Sequence, residues 1–232
     1  RASLGEFLHQ GGSAFILLEP IRLDPQSPQP MPAFSGLDPL LEEYGLRFNG
    51  SLVADLVSNE QVSLGQRGFF NVIAPYPLWP IVAPGSDHVT TRSLNALTLS
   101  WSGALEVTDS VGVTPLWETT EAGVLRDPGM PILPDQDWNV PEEELGIRTV
   151  AVAVDPGEES GGEDDSAPSG RGRLIVMGDA SFLDPQFANA NAQNVLFAAN
   201  AVDWLAQDES LIRIRSKNRT SPALAFTSDW SR

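Results

Sequence analysis

Apolar residues fall in short dense runs along this chain, and the clearest pairing of runs lies near its end. Leu174, Ile175, Val176 and Met177 form a continuous apolar run that stops at Gly178, where the backbone must turn tightly. Downstream, Gln193, Asn200, Asp203 and Gln207 recur on one narrow helical stripe. Val195, Leu196, Phe197, Ala199, Val202, Trp204 and Leu205 cover most of the rest. The pattern predicts a buried strand, a Gly-Asp loop, and a helix wedged into a core with one wet stripe.

The same reading extends upstream. Leu4, Phe7 and Leu8 have helical spacing, and Gly11-Gly12 supplies a stop. Residues 14–18, AFILL, read as a buried strand ending at Glu19-Pro20. A proline-rich connector follows, and then Asp38 caps a short helix with Pro39 in its first turn and Gly45 past its end. Leu52 to Val57 predicts a second strand. The run from Phe69 to Ala83 is apolar and aromatic but broken by three prolines, which predicts extended edge segments and not a central strand. Thr91 opens a short helix through Leu97; Thr98 to Val107, Val113 to Thr120 and Thr149 to Val154 predict strands. Trp101 and Trp117 fall on two of these strands. Helices and strands in this order predict an α/β fold: an open, mostly parallel sheet with helices on both faces.

Two polar segments interrupt that pattern. Asp127 to Glu144 predicts a surface loop. Asp155 to Gly170 carries six acidic residues and no basic ones, and predicts a mobile insertion between adjacent strands. It lacks the D-x-[DN]-x-[DN]-G spacing of an organised calcium loop, so it is read as a solvated tether. The organisation expected is one α/β domain over residues 1–215 with that insertion, then a polar segment over 216–232.

Composition narrows the function classes. With 31 acidic against 14 basic side chains, the net charge of -17 argues against nucleic acid and anionic lipid as partners. Cysteine is absent, which removes disulfides, thiolate metal sites and a cysteine nucleophile. No glycine-rich phosphate loop or G-x-G-x-x-G is present, so no cofactor is expected, and no metal set stands out.

Four motifs in order resemble the extracytoplasmic domain of ABC-transporter auxiliary proteins of the gliding-motility type. They are FLHQGGSAFILLEP at residues 7–20, LDPLLEEYGLRF at 37–48, SDHVTT at 86–91, and GRLIVMGDASFL at 172–183 with the helix that follows. The resemblance implies a class I glutamine amidotransferase-like fold, a flavodoxin-like sandwich. It further implies membrane anchoring outside this chain, with residues 216–232 leading to an anchor. The implied partners are the membrane permease and ATPase of an ABC transporter, with a polysaccharide or a protein as cargo.

Open α/β sheets bind ligands in the loops after their strands. Glu19, Asp87, His88, Asp179 and Ser181 are the candidate binding residues. Gly178-Asp179-Ala180-Ser181-Phe182 lacks the G-x-S-x-G of a serine elbow, and His9 and His88 are the two histidines. Asp179 and Ser181 have a simpler use as caps of the following helix. Tyr76 and Trp79, with Phe69 and Phe70, form either core packing or an alternative binding platform. The expectation is a non-catalytic extracytoplasmic accessory domain making protein contacts or recognising cargo. A hydrolase built on Ser181 and His88, and a pure scaffold, stay open as alternatives.

Overall fold

The computed structural model describes residues 2–23, 29–67, 69–134, 136–156 and 172–207. The acidic insertion beyond residue 156 and the segment after residue 207 lie outside these. The chain starts with helix α1 (Ala2–His9), strand β1 (Ala14–Leu17), the short strands β2 (Ile21–Arg22) and β3 (Met31–Pro32), and helix α2 (Asp38–Glu42). Seven strands follow without an intervening α-helix: β4 (Leu46–Asp55), β5 (Asn59–Arg67), β6 (Phe70–Pro84), β7 (Leu97–Thr98), β8 (Gly103–Val107), β9 (Val113–Glu118) and β10 (Gly123–Arg126). Then come β11 (Thr149–Val154), β12 (Leu174–Met177), α3 (Pro185–Ala190) and α4 (Ala192–Leu205).

The main sheet has the order β1-β12-β11-β9-β6-β5, with β7 attached to β6; β10, β4 and β8 form a second sheet. Only β1 and β12 pair in parallel, and every other pair in both sheets is antiparallel. This corrects the expected mostly parallel, flavodoxin-like or glutamine amidotransferase-like sandwich: the fold is mostly β, with a curled mixed sheet. The physical reason lies in the connections. A parallel step needs a crossover, usually a helix, whereas strands joined by short turns return antiparallel. Between β4 and β10 no described connection contains an α-helix, and all but the one from β6 to β7 are turns of a few residues.

Helices on both faces were expected, and the two faces are in fact covered differently. In β12, Ile175 and Met177 face a core built with Phe197, Ala201 and Trp204 of α4. Leu174 and Val176 face the opposite core, with Leu8 of α1, Leu41 of α2, and Leu46 and Leu105 of the second sheet. Burial on both faces explains why Thr149–Val154 and Leu174–Met177 read as continuous apolar runs. A third core joins Leu52, Ala54 and Val124 of the second sheet to Tyr76 and Leu78 of β6.

Local expectations differ in four places. The prolines of residues 69–83 sit within a fifteen-residue strand, β6. Its pairing is split among β5, β7 and β9, so no one ladder needs every amide of that strand. The helix expected from Thr91 to Leu97 is instead a set of turns. Thr98–Val107 is not one strand, because it breaks at Ser100-Trp101-Ser102. Leu37 takes the cap position of α2 and makes no side-chain cap bond, while Asp38 lies in the first turn.

Candidate functional site at the ends of the first and last strands

The parallel pair places two loops together. The Leu18 amide donates to the Met177 carbonyl at 2.8 Å, which sets Glu19 beside Gly178 and Asp179. Glu19 Oε1 accepts hydrogen bonds from the Ala180 amide at 3.0 Å and from Ser181 Oγ at 2.8 Å. Asp179 is fully buried, and its Oδ2 accepts the Ser100 amide at 2.7 Å. A third loop reaches the same edge, because β7 runs in the same direction as β12. In that loop Trp101 has a left-handed φ of 50°. A bulky residue there carries strain that the surroundings must hold. Its amide donates to Leu78 O at 2.9 Å, the Val53 amide donates to Ser102 O at 2.8 Å, and the Gly103 amide donates to Gly178 O at 2.6 Å.

This cluster is polar, buried and only partly satisfied. Asp179 Oδ1 and the hydroxyls of Ser100 and Ser102 are buried without a hydrogen-bond partner of good geometry. The Ser181 and Phe182 amides lean toward the Asp179 carboxyl and favour its charge, but burial outweighs them and pushes its pKa up to about 8. The neighbouring Glu19 charge adds to that rise. Burial also raises Glu19, against the opposing hydrogen bonds from Ser181 and Ala180. Two carboxyls that feel each other's charge do not both ionise readily.

The remaining candidates lie elsewhere. The turn with Asp87 and His88 follows β6, which runs opposite to β12 and so leaves the sheet at the other edge. Asp87 is exposed and pairs with Arg92 at 2.7 Å, and the Arg92 hydrogen bonds hold its carboxyl below the ordinary range. His88 Nδ1 meets Thr90 Oγ1 at 2.8 Å, and its ring stands edge-on to Trp204 at 5.0 Å. Asn194 donates to Phe182 O at the other end of α4. The ten-residue span between these anchors separates His88 from the Ser181 loop by roughly 15 Å. Ser181 and His88 therefore do not form a nucleophile–base pair here. Ala180 holds the cap position of the short 3-10 turn after β12 with no side-chain cap bond, while the first amides of that turn, Ser181 and Phe182, lean toward the carboxyl of Asp179.

Tyr76 is buried and Trp79 half-buried within one aromatic group. Trp79 packs against Tyr76 at 5.4 Å, Trp101 at 5.5 Å and Phe187 at 5.0 Å. Trp101 Nε1 donates to Tyr76 Oη at 2.8 Å, and Tyr76 Oη donates to Ile132 O. Burial pushes the Tyr76 hydroxyl up to about 12. Phe69 and Phe70 stand apart from this group, exposed at the far end of β6.

Sequence reasoning found Glu19, Asp179 and Ser181 but missed Ser100, Trp101 and Ser102. The available signal was the Ser-Trp-Ser-Gly interruption in an otherwise apolar run. Chemically, the arrangement offers one serine hydroxyl on a carboxyl and one acid kept largely protonated near neutrality. A cleft of about 410 Å³ lies beside it, lined by Pro20, Phe34, Asp38 and Phe48. Among the described residues, no group of three or more His, Asp or Glu side chains is arranged to hold a metal ion.

The chain is 22% identical over 226 residues to an uncharacterized protein of Borreliella burgdorferi, covering 92% of this chain and 43% of that protein. It thus spans less than half the length of that curated relative. Among solved structures it is similar to the mmIFT52 N-terminal domain, with a TM-score of 0.49 and 17% identity over 88% of this chain and 71% of that one. A family model described as "ABC-type uncharacterized transport system" matches residues 2–207, and the chain belongs to that family of auxiliary transport proteins.

Proposed function

We propose that this chain is a non-catalytic, extracytoplasmic contact domain of its ABC-type transport complex, of the gliding-motility kind. Its partners are the membrane permease and, with it, the ATPase; the cargo is a polysaccharide or a protein. The observation that carries this reading is that the two carboxyls at the strand ends are turned onto the protein's own loops, with Asp179 Oδ1 and the Ser100 and Ser102 hydroxyls buried beside them. Glu19 binds Ala180 and Ser181, Asp179 binds Ser100, and both tie loops of the main sheet together. Asp87, held by Arg92 on the surface, is the exposed candidate residue that a partner can reach. The test is co-purification from cells that carry the permease and ATPase, with protease accessibility from the outer face of the membrane. The expected result is co-purification that Asp87→Lys weakens severalfold and digestion without lysis. Protection from external protease would remove the extracytoplasmic assignment.

A second reading, a hydrolase, draws on one contact: Ser181 Oγ donates at 2.8 Å to a carboxyl whose pKa is raised. An elevated carboxyl is a better general base than an ordinary one. Ester, amide and glycoside turnover lost in Ser181→Ala and in Glu19→Gln would establish this reading and displace the first.

A further inference from the structure

Strands β5 and β6 continue past the body of the protein as a two-stranded ribbon. Tyr76 is its last buried residue, and none of the described side chains beyond it on either strand is buried. Val62, paired with Ala74, still packs against the third core, so the free part of the ribbon runs four steps from Ala74 to Phe70 and reaches roughly 13 Å outward. Its tip is apolar: Phe69 is 103% exposed, Phe70 78%, Ile73 59% and Leu64 43%. Exposed apolar residues are normally scattered singly, and a two-stranded ribbon gains little stability from its own contacts.

Two observations select the occupant. Phe70 and Ile73 are an odd number of residues apart on one regular strand, so they project from opposite faces of the ribbon. With Phe69 on the turn, apolar groups point in three directions, which a fluid medium covers and a single flat protein face does not. The charge is equally uneven. No acidic residue lies between Glu60 and Asp87, the longest acid-free stretch of the chain, and Arg67 is the one charge near the tip. A chain of net charge -17 thus projects a segment free of acids that ends in two phenylalanines and has Arg67 as its one basic residue. Aromatic side chains with neighbouring cations suit the headgroup layer of a bilayer.

We propose that the β5–β6 ribbon inserts its tip into the interfacial layer of a lipid bilayer, orienting the acidic body away from it. At 0.15 M salt the Debye length is about 8 Å, so the ribbon's length screens the body's charge from the lipid surface. The proposal rests on family membership and not on the contact-domain reading, since it holds on either side of the membrane.

The experiment is flotation of the purified chain with phosphatidylcholine vesicles, comparing wild type with the double variant Phe69→Ser/Phe70→Ser. Both residues are exposed, so matching thermal melts are expected and are checked first. Wild type should partition into the vesicles, and the double variant should lose at least about tenfold in partition coefficient. Ile73→Ser should fall between them. Absence of wild-type partitioning, or equal partitioning of the variant, overturns the proposal. So does loss in the variant of self-association or permease binding with vesicle binding unchanged, which would give the tip to a protein partner. Loss of permease co-purification in Asp87→Lys with vesicle binding intact would bear on the contact-domain reading alone.

Discussion

At neutral pH the Asp179 carboxyl is mostly protonated in the folded protein, because burial pushes its pKa up to about 8. In the unfolded chain it titrates at ~3.9. Between those values the folded state binds a proton that the unfolded state releases, so stability falls as pH rises through this window. The loss is absent below the unfolded value and complete above about pH 8. Its size is on the order of a few kcal/mol. Glu19 contributes with the same sign, since its pKa is also raised by burial. Asp179→Asn keeps an acceptor for the Ser100 amide and removes the titration. The expected outcome is a wild-type melting temperature that drops from pH 5 to pH 8.5 and a variant that drops much less. Parallel curves would mean that Asp179 is ionised in the fold. From the sequence, Gly178-Asp179 was visible as a loop after a buried strand, but its partner was not. Ser100 is 79 residues away in sequence, and nothing in local spacing pairs it with Asp179.

At the scale of elements, α4 shows how periodicity can point a helix the wrong way. Its polar stripe was expected to be wet, yet Asn200 is 2% exposed and Val202 is 56% exposed. Asn200 is the stripe residue that misleads: its expected hydrogen bond to a neighbouring loop is present, but it is made inside the core, as is that of Asn194, which lies off the stripe. Asn194 donates to Thr98 O and Phe182 O at 2.8 Å each, and Asn200 donates to Thr90 O at 3.0 Å, so both satisfy loop carbonyls inside the core. A hydrogen-bonded amide in a core and a solvated amide look alike in sequence. Trp204 was correctly placed in the core. It lies between the His88 ring at 5.0 Å and the Arg173 guanidinium at 4.7 Å. Trp204→Ala should cost ~3–5 kcal/mol, read from urea denaturation. Val202→Ser should change stability by no more than about 0.5 kcal/mol. A larger cost at Val202 would restore the expected orientation. Strands Thr149–Val154 and Leu174–Met177 were legible to the residue, because burial on both faces leaves no polar position to blur the run.

At the scale of the whole molecule, strand direction was the illegible quantity. Apolar runs mark which segments are buried but carry no arrow. The arrow comes from the connections, which here are mostly turns. One close backbone contact ties the two sheets together alongside the cores they share. The Gly103 amide at the start of β8 donates to Gly178 O just past β12, at 2.6 Å. The backbones approach so closely that a Cβ at Gly178 would run into the Gly103 carbonyl oxygen. Neither partner is a flexible side chain that can swing aside, so the sheets must separate or the bond must break. Gly178→Ala should therefore destabilise by at least ~2 kcal/mol, combining overpacking with a lost buried hydrogen bond. Gly5→Ala is the matched control. Gly5 lies inside α1, where an added Cβ meets only Leu40 Cδ1 at an ordinary 3.9 Å. Alanine there should stabilise by ~0.5–1 kcal/mol through helix propensity. Opposite shifts of the urea midpoint for the same chemical change would establish the Gly103–Gly178 contact as a joint between the sheets. A Gly178→Ala protein as stable as wild type would place that joint elsewhere.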